Sequence, residues 1–144
     1  MQRTILLNSY FRGQPARELE LPQFLESCEI GPGWHSLVSG LCLRLWSLGW
    51  DGRVAQCKEK FGGLRFYLDA GSTISDQMWQ LVRDAEQDSY NICEFCGASP
   101  AGISKDRWWL KTLCAACDSR CRADTPEKYG CNPQLVPEDS FSTE

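Results

Sequence analysis

Two Cys-x-x-Cys pairs, Cys93 with Cys96 and Cys114 with Cys117, constrain this 144-residue chain more than any other feature. Seventeen residues lie between the inner two cysteines, a spacing shared by sites in which four thiolates close on one zinc ion. Each Cys-x-x-Cys turn offers two thiolates to one edge of a small ion, and a second turn completes the tetrahedron. Gly97 follows the first pair and supplies the permissive backbone that such a knuckle needs. The expectation is one Zn2+ held by Cys93, Cys96, Cys114 and Cys117. With four thiolates there is no open position for water, so the site is expected to be structural.

The other cysteines support this choice. The chain has nine, an odd number, and Met1 to Tyr10 holds only the short apolar patch Ile5 to Leu7, which is no secretory leader. A disulfide framework is therefore disfavoured and a reducing, cytoplasmic location expected. A thioredoxin-like redox site needs one Cys-x-x-Cys at a strand-to-helix junction, not two matched pairs. Cys28, Cys42 and Cys57 sit in apolar surroundings and read as core residues. Cys121 is the one substitute ligand.

The single histidine, His35, excludes much chemistry. No histidine lies between the knuckles, as an HNH-type nuclease requires. No His-x-Glu or Cys-x-Glu precedes a Pro-Cys-x-x-Cys, as a zinc deaminase requires. His35 reads as a surface or capping residue. The net charge of −4 argues against bulk adhesion to nucleic acid, and no apolar run reaches the roughly 18 residues that suggest a membrane span.

The pattern implies an α+β core over residues 1–90, a zinc-binding module over 91–131 and a flexible acidic tail over 132–144. Within the core, Arg3 to Leu7 suits a short strand and Asn8 to Ala16 a loop. Pro22 suits the start of a short helix reaching about Glu29. Trp34, Leu37, Val38, Leu41, Leu45 and Leu48 recur at helical spacing, which predicts a helix over 33–48 ended by Gly49. A second helix is expected over 75–89, with Met78, Leu81, Val82 and Ala85 on its buried face and Trp79 off it. Between them, residues 53–69 read as a β-hairpin turning at Gly62-Gly63. That register sets Phe61 opposite Leu64, Lys60 opposite Arg65 and Glu59 opposite Phe66. Cys57, Glu59, Phe61, Leu64, Phe66 and Leu68 then share the core face. Lys58, Lys60, Arg65, Tyr67 and Asp69 share the other. Glu59 is the exception on the apolar face, either at its rim or as a functional carboxylate. Asp106 to Thr112 reads as a strand delivering the second cysteine pair, on which adjacent Trp108 and Trp109 must point opposite ways.

Gly33-Trp34, the run Lys58-Glu59-Lys60-Phe61-Gly62-Gly63-Leu64-Arg65-Phe66-Tyr67, Ala85-Glu86 and the two cysteine pairs together resemble a group of small uncharacterised bacterial and phage zinc-knuckle proteins. The resemblance spans about residues 33–118. It implies a coherent fold and a mobile-element origin, and lends no activity.

The expected function is a non-enzymatic zinc-binding module that docks a protein partner. Its contact residues would be Lys58, Lys60, Arg65 and Tyr67 on the hairpin, with Trp108 and Trp109 on the later strand. The mobile-element resemblance sharpens this to an inhibitor of a host defence or nuclease complex. Nucleic-acid binding is the alternative, because Asn91 to Arg122 carries five basic and three acidic residues, before a zinc–thiolate centre cancels the surplus. Third comes a small enzyme built on Glu59, with Asp69 and His35 gathered around it.

Overall fold

The computed structural model describes residues 6–9, 17–69, 71–103 and 110–123. Trp108, Trp109, Cys131 and the acidic tail lie outside the described residues, as does most of the strand expected over Asp106 to Thr112.

The fold is α+β. Two short strands, β1 (Leu6–Ser9) and β2 (Arg17–Glu20), pair antiparallel. Helix α1 (Leu21–Ser27) follows at once. Its start is a capping box between Glu20 and Gln23, with Pro22 where its missing N–H costs nothing. A 3-10 turn (Pro32–Trp34) leads into α2 (His35–Ser47). Strands β3 (Arg53–Lys60) and β4 (Gly63–Leu68) form the hairpin, and α3 (Asp76–Ser89) returns across it. Ser75 caps α3 by accepting from the Met78 N–H at 3.2 Å. Of the strand expected over Arg3 to Leu7, Arg3 to Ile5 lie outside the described residues; β1 takes in Asn8 and Ser9, both expected as loop.

The four strands make one mixed sheet in the order β2-β1-β3-β4, with β1 and β3 parallel. Leu7, Leu19, Val54, Cys57, Leu64, Phe66 and Leu68 face the helices and are buried. There they meet Phe24, Trp34, Val38, Leu41, Leu45, Met78, Val82 and Ala85 in one cluster. Cys28, Cys42 and Cys57 are buried in it. Phe66 is central, with its ring 6.5 Å from Phe24 and 6.3 Å from Trp50.

The hairpin corrects the expected register. Phe61 (φ 55°) and Gly62 (φ 83°) are the turn residues, and the pairs run Lys60–Gly63, Glu59–Leu64, Lys58–Arg65 and Cys57–Phe66. A two-residue turn with both central φ positive matches the right-handed strand twist. Gly63 serves differently: a Cβ there would collide with the Tyr90 ring and hydroxyl. Moving the turn back by one residue changes each partner by two, so every strand residue keeps its face. Phe66 and Leu68 are buried, Tyr67 is exposed and Arg65 half-buried. Two details change. Phe61 leaves the core face and is 66% exposed. The like-charge pair across the strands is Lys58 with Arg65, not Lys60 with Arg65.

The outer edge of β4 is closed by α3. Leu64 N–H donates to Ser89 Oγ at 2.9 Å and Phe66 N–H to Glu86 Oε2 at 3.0 Å. Side chains therefore satisfy donors that an open edge would offer to another chain.

Candidate metal centre

Past α3 the chain makes the first cysteine turn. A small β-ladder follows, formed by β5 (Gly102–Ile103) and β6 (Thr112–Leu113), and α4 (Ala115–Ala123) begins directly after Cys114. The first turn is a tight knuckle. Gly97 N–H donates to the Cys93 carbonyl at 2.9 Å, with Gly97 at φ 83°, and Cys96 N–H points at Cys93 Sγ over 3.5 Å. The second pair straddles the start of α4.

These two turns bring the Sγ atoms of Cys93, Cys96, Cys114 and Cys117 within 4.8 Å of one another. The Cys96 and Cys114 sulfurs are 3.7 Å apart. A tetrahedral ion with metal–sulfur bonds of about 2.3 Å needs sulfur–sulfur edges of about 3.8 Å, so the spacing fits four-thiolate coordination. The environment already favours thiolate at Cys114. The backbone N–H of Cys117, at the helix start, helps bring its pKa down to about 7 against the opposing effect of burial. Cys117 moves the opposite way, raised chiefly by burial. Among the described residues this is the one group of three or more His, Cys, Asp or Glu side chains gathered closely enough to hold an ion. Of Cys121 only the backbone is described, within α4.

The centre is seated on the core by backbone packing. Gly33 N–H donates to the Glu94 carbonyl at 2.7 Å. A Cβ on Gly33 would run into Cys93 O and Gly97 N, and one on Gly31 into Glu94 O. The Gly31-Pro32-Gly33 segment is thus a close-packed platform for the knuckle. Trp34, fully buried, donates its indole N–H to the Ile92 carbonyl at 2.8 Å, fixing the segment that enters the knuckle.

A polar clasp completes the join. Glu94, between two of the cysteines and only 4% exposed, accepts from Gly31 N–H at 2.9 Å through one oxygen. Its other oxygen takes Lys111 Nζ at 3.2 Å. Lys111 also lies 3.6 Å from Glu59 Oε1, and Glu59 Oε2 accepts from Gly62 N–H at 2.8 Å. The Thr112 hydroxyl donates to the Gly62 carbonyl, and Glu94 N–H to the Thr112 carbonyl at 2.9 Å. Burial pushes the Glu94 carboxyl up, against the pull of Lys111. Knuckle, ladder and hairpin turn are thereby tied together.

Of the remaining sequence candidates among the described residues, Glu59 reaches this centre, through the clasp. Glu59 is at the turn end of the hairpin, whereas Asp69 follows its open end, 3.9 Å from Arg53. Six strand residues, roughly 20 Å, separate those ends, so the fold does not gather Glu59 and Asp69 into one site. His35 is the half-buried first residue of α2. Lys58, Lys60, Arg65 and Tyr67 lie on the sheet face away from the helices. Strand pairing puts Glu18 and Glu20 on that same face at the β2 side, giving an acidic edge and a basic edge. Glu94, Lys111, Thr112 and the Gly31–Gly33 platform went unread in the sequence. The one available signal was a carboxylate placed between two metal-ligand candidates.

Comparisons with protein-family models, curated proteins and solved structures find no match to this chain.

Proposed function

We propose that the protein is a non-enzymatic zinc module that docks a protein partner through the open face of its hairpin. The ion is Zn2+, because four cysteine thiolates in a closed tetrahedron suit this soft, redox-inert metal and leave no vacancy for catalysis. The observation that carries the docking role is the one-sided packing of the sheet. Helices cover its inner face, while Lys58, Lys60, Arg65 and Tyr67 occupy the outer face, with Phe61 protruding at the turn. Lys58 and Arg65 stand directly opposite one another, a like-charge juxtaposition that costs a few tenths of a kcal/mol in a free protein; Tyr90 and Glu86 offset it in part at Arg65, and an acidic partner would relieve it further. Trp108 and Trp109 extend the proposed contact set. An inhibitor of a host defence or nuclease complex, carried by a mobile element, is the narrowest form of the proposal and rests on the resemblance of the hairpin and cysteine motifs.

Glu59 supports a structural role rather than catalysis, since both carboxylate oxygens are engaged, by the turn and by Lys111. Affinity capture from the native host tests the proposal. Lys58→Glu with Arg65→Glu should lose the captured partner while His35→Ala and Glu59→Gln retain it. Normal capture by the double reversal, with activity abolished in Glu59→Gln, contradicts it. Nucleic-acid binding is separated by titrating a single-stranded oligonucleotide across a salt series, where a steep loss of affinity with salt is its signature.

A further inference from the structure

Opposite in charge to the hairpin face, a second surface feature lies where the knuckle meets the core. The segment from Cys28 to Pro32, the Glu94-Phe95 stretch, Lys111 and Leu113 enclose a cleft of about 330 Å³. That volume is at the lower end of the roughly 300–1,000 Å³ typical of small-molecule sites. Its walls include Ile30, Phe95 and Leu113, which suit an aliphatic stem. Among the described residues its charged groups are Glu29, Glu59 and Glu94 against Lys111, so three carboxylates and one ammonium leave −2.

The arrangement selects among ligand classes. Lys111 is already shared between Glu59 and Glu94, so it has little to offer an incoming anion. Glu29 is exposed, and its carboxylate makes no hydrogen bond or ion pair with any described residue. The three carboxylates do not converge closely enough to form an ion-binding group, and the cleft is far larger than a bare ion. What remains is an extended cation with apolar length behind it. We propose that this cleft binds a guanidinium or alkylammonium group on an aliphatic stem, with Glu29 as the outer carboxylate and Ile30, Phe95 and Leu113 along the stem. Guanidinium is the better match, because its planar fork serves two carboxylate oxygens at once and its faces pack on apolar and aromatic walls.

The test is an amide NMR titration of the metal-loaded full chain with n-butylguanidinium, with neutral n-butylurea of the same shape, and with a capped Gly-Arg-Gly tripeptide. n-Butylguanidinium should shift the amides of Gly31, Phe95 and Leu113 and bind at least ~10-fold more tightly than n-butylurea, the difference one charge-assisted contact can supply. Glu29→Gln, an exposed change that leaves the clasp intact, should weaken it about threefold. If the tripeptide binds more tightly than n-butylguanidinium, the natural source is an arginine side chain of another protein. If it binds more weakly, the source is a free small cation. Either result supports the site. Equal binding of the urea, no shift at those amides with any probe, or unchanged affinity in Glu29→Gln overturns the proposal.

Discussion

The helix-covered side of the sheet and the cysteine knuckle are held together by different physics. Among the described residues the first buries eighteen side chains in one apolar cluster, whereas the second buries three, and two of those are metal-ligand candidates. At roughly 25 cal/mol per Å² of apolar surface, the first can hold its own shape and the second cannot. The knuckle has instead four cysteines placed to hold an ion, backbone contact with Gly31 and Gly33, and the Glu59–Lys111–Glu94 clasp. A small segment without a core can thus be made as definite as a large one, provided that metal, backbone and paired charges all agree.

The largest way to break the contrast is to remove a ligand. Cys114→Ser should abolish metal binding and expose residues 91–123, because a structural zinc site supplies most of such a module's folding free energy, about 10–16 kcal/mol in isolated peptides. Hydrogen exchange should show lost protection at Cys93, Glu94 and Thr112, with Val38 to Leu45 still protected. Uniform loss across both regions would mean that they fold as one unit.

Next in size is Lys111→Met, which leaves Glu94 buried without its cation and should cost about 3–5 kcal/mol in denaturant unfolding. Adding Glu94→Gln should recover a good part of that, since the only carboxylate then left without Lys111 is the half-buried Glu59, which keeps its bond from Gly62 N–H. Strict additivity of the two changes would contradict the clasp.

Two glycine substitutions sharpen the comparison further. Gly33→Ala pushes a methyl into Cys93 O and Gly97 N, and backbone atoms cannot swing aside. It should destabilise by about 1–3 kcal/mol and weaken metal retention. Gly40→Ala, within α2 and with nothing near its Cβ position, should stabilise by about 0.5–1 kcal/mol through helix propensity. Thermal melts of the two variants should therefore move in opposite directions. The smallest stability effect is expected from Lys58→Glu alone on the open face, within about 0.5 kcal/mol, which makes it the cleaner probe of docking, since Arg65→Glu also removes hydrogen bonds to the Leu64 carbonyl and the Tyr90 hydroxyl.

Periodicity and spacing made much of this legible. The α2 and α3 stripes announce themselves through Val38, Leu41 and Leu45, and through Met78, Val82 and Ala85, because a buried helix face repeats every three to four residues. The cysteine pairs are legible because ligand geometry dictates their spacing. The hairpin faces are legible too, but not the turn. Three residues, Phe61, Gly62 and Gly63, offer two glycines, and only Tyr90, distant in sequence, decides which of them must lie in the strand. The same limit hides Gly33 and Lys111. Their roles depend on contacts with Cys93 and Glu94 across more than ten residues of chain, and nothing local in the sequence encodes them.

The central claim is that Cys93, Cys96, Cys114 and Cys117 hold one zinc ion in a closed site. X-ray absorption at the zinc edge, on protein purified without chelator, addresses it most directly. The account predicts one zinc per chain surrounded by four sulfur atoms at about 2.3 Å. Absence of zinc, or a shell in which nitrogen or oxygen replaces sulfur, would contradict it.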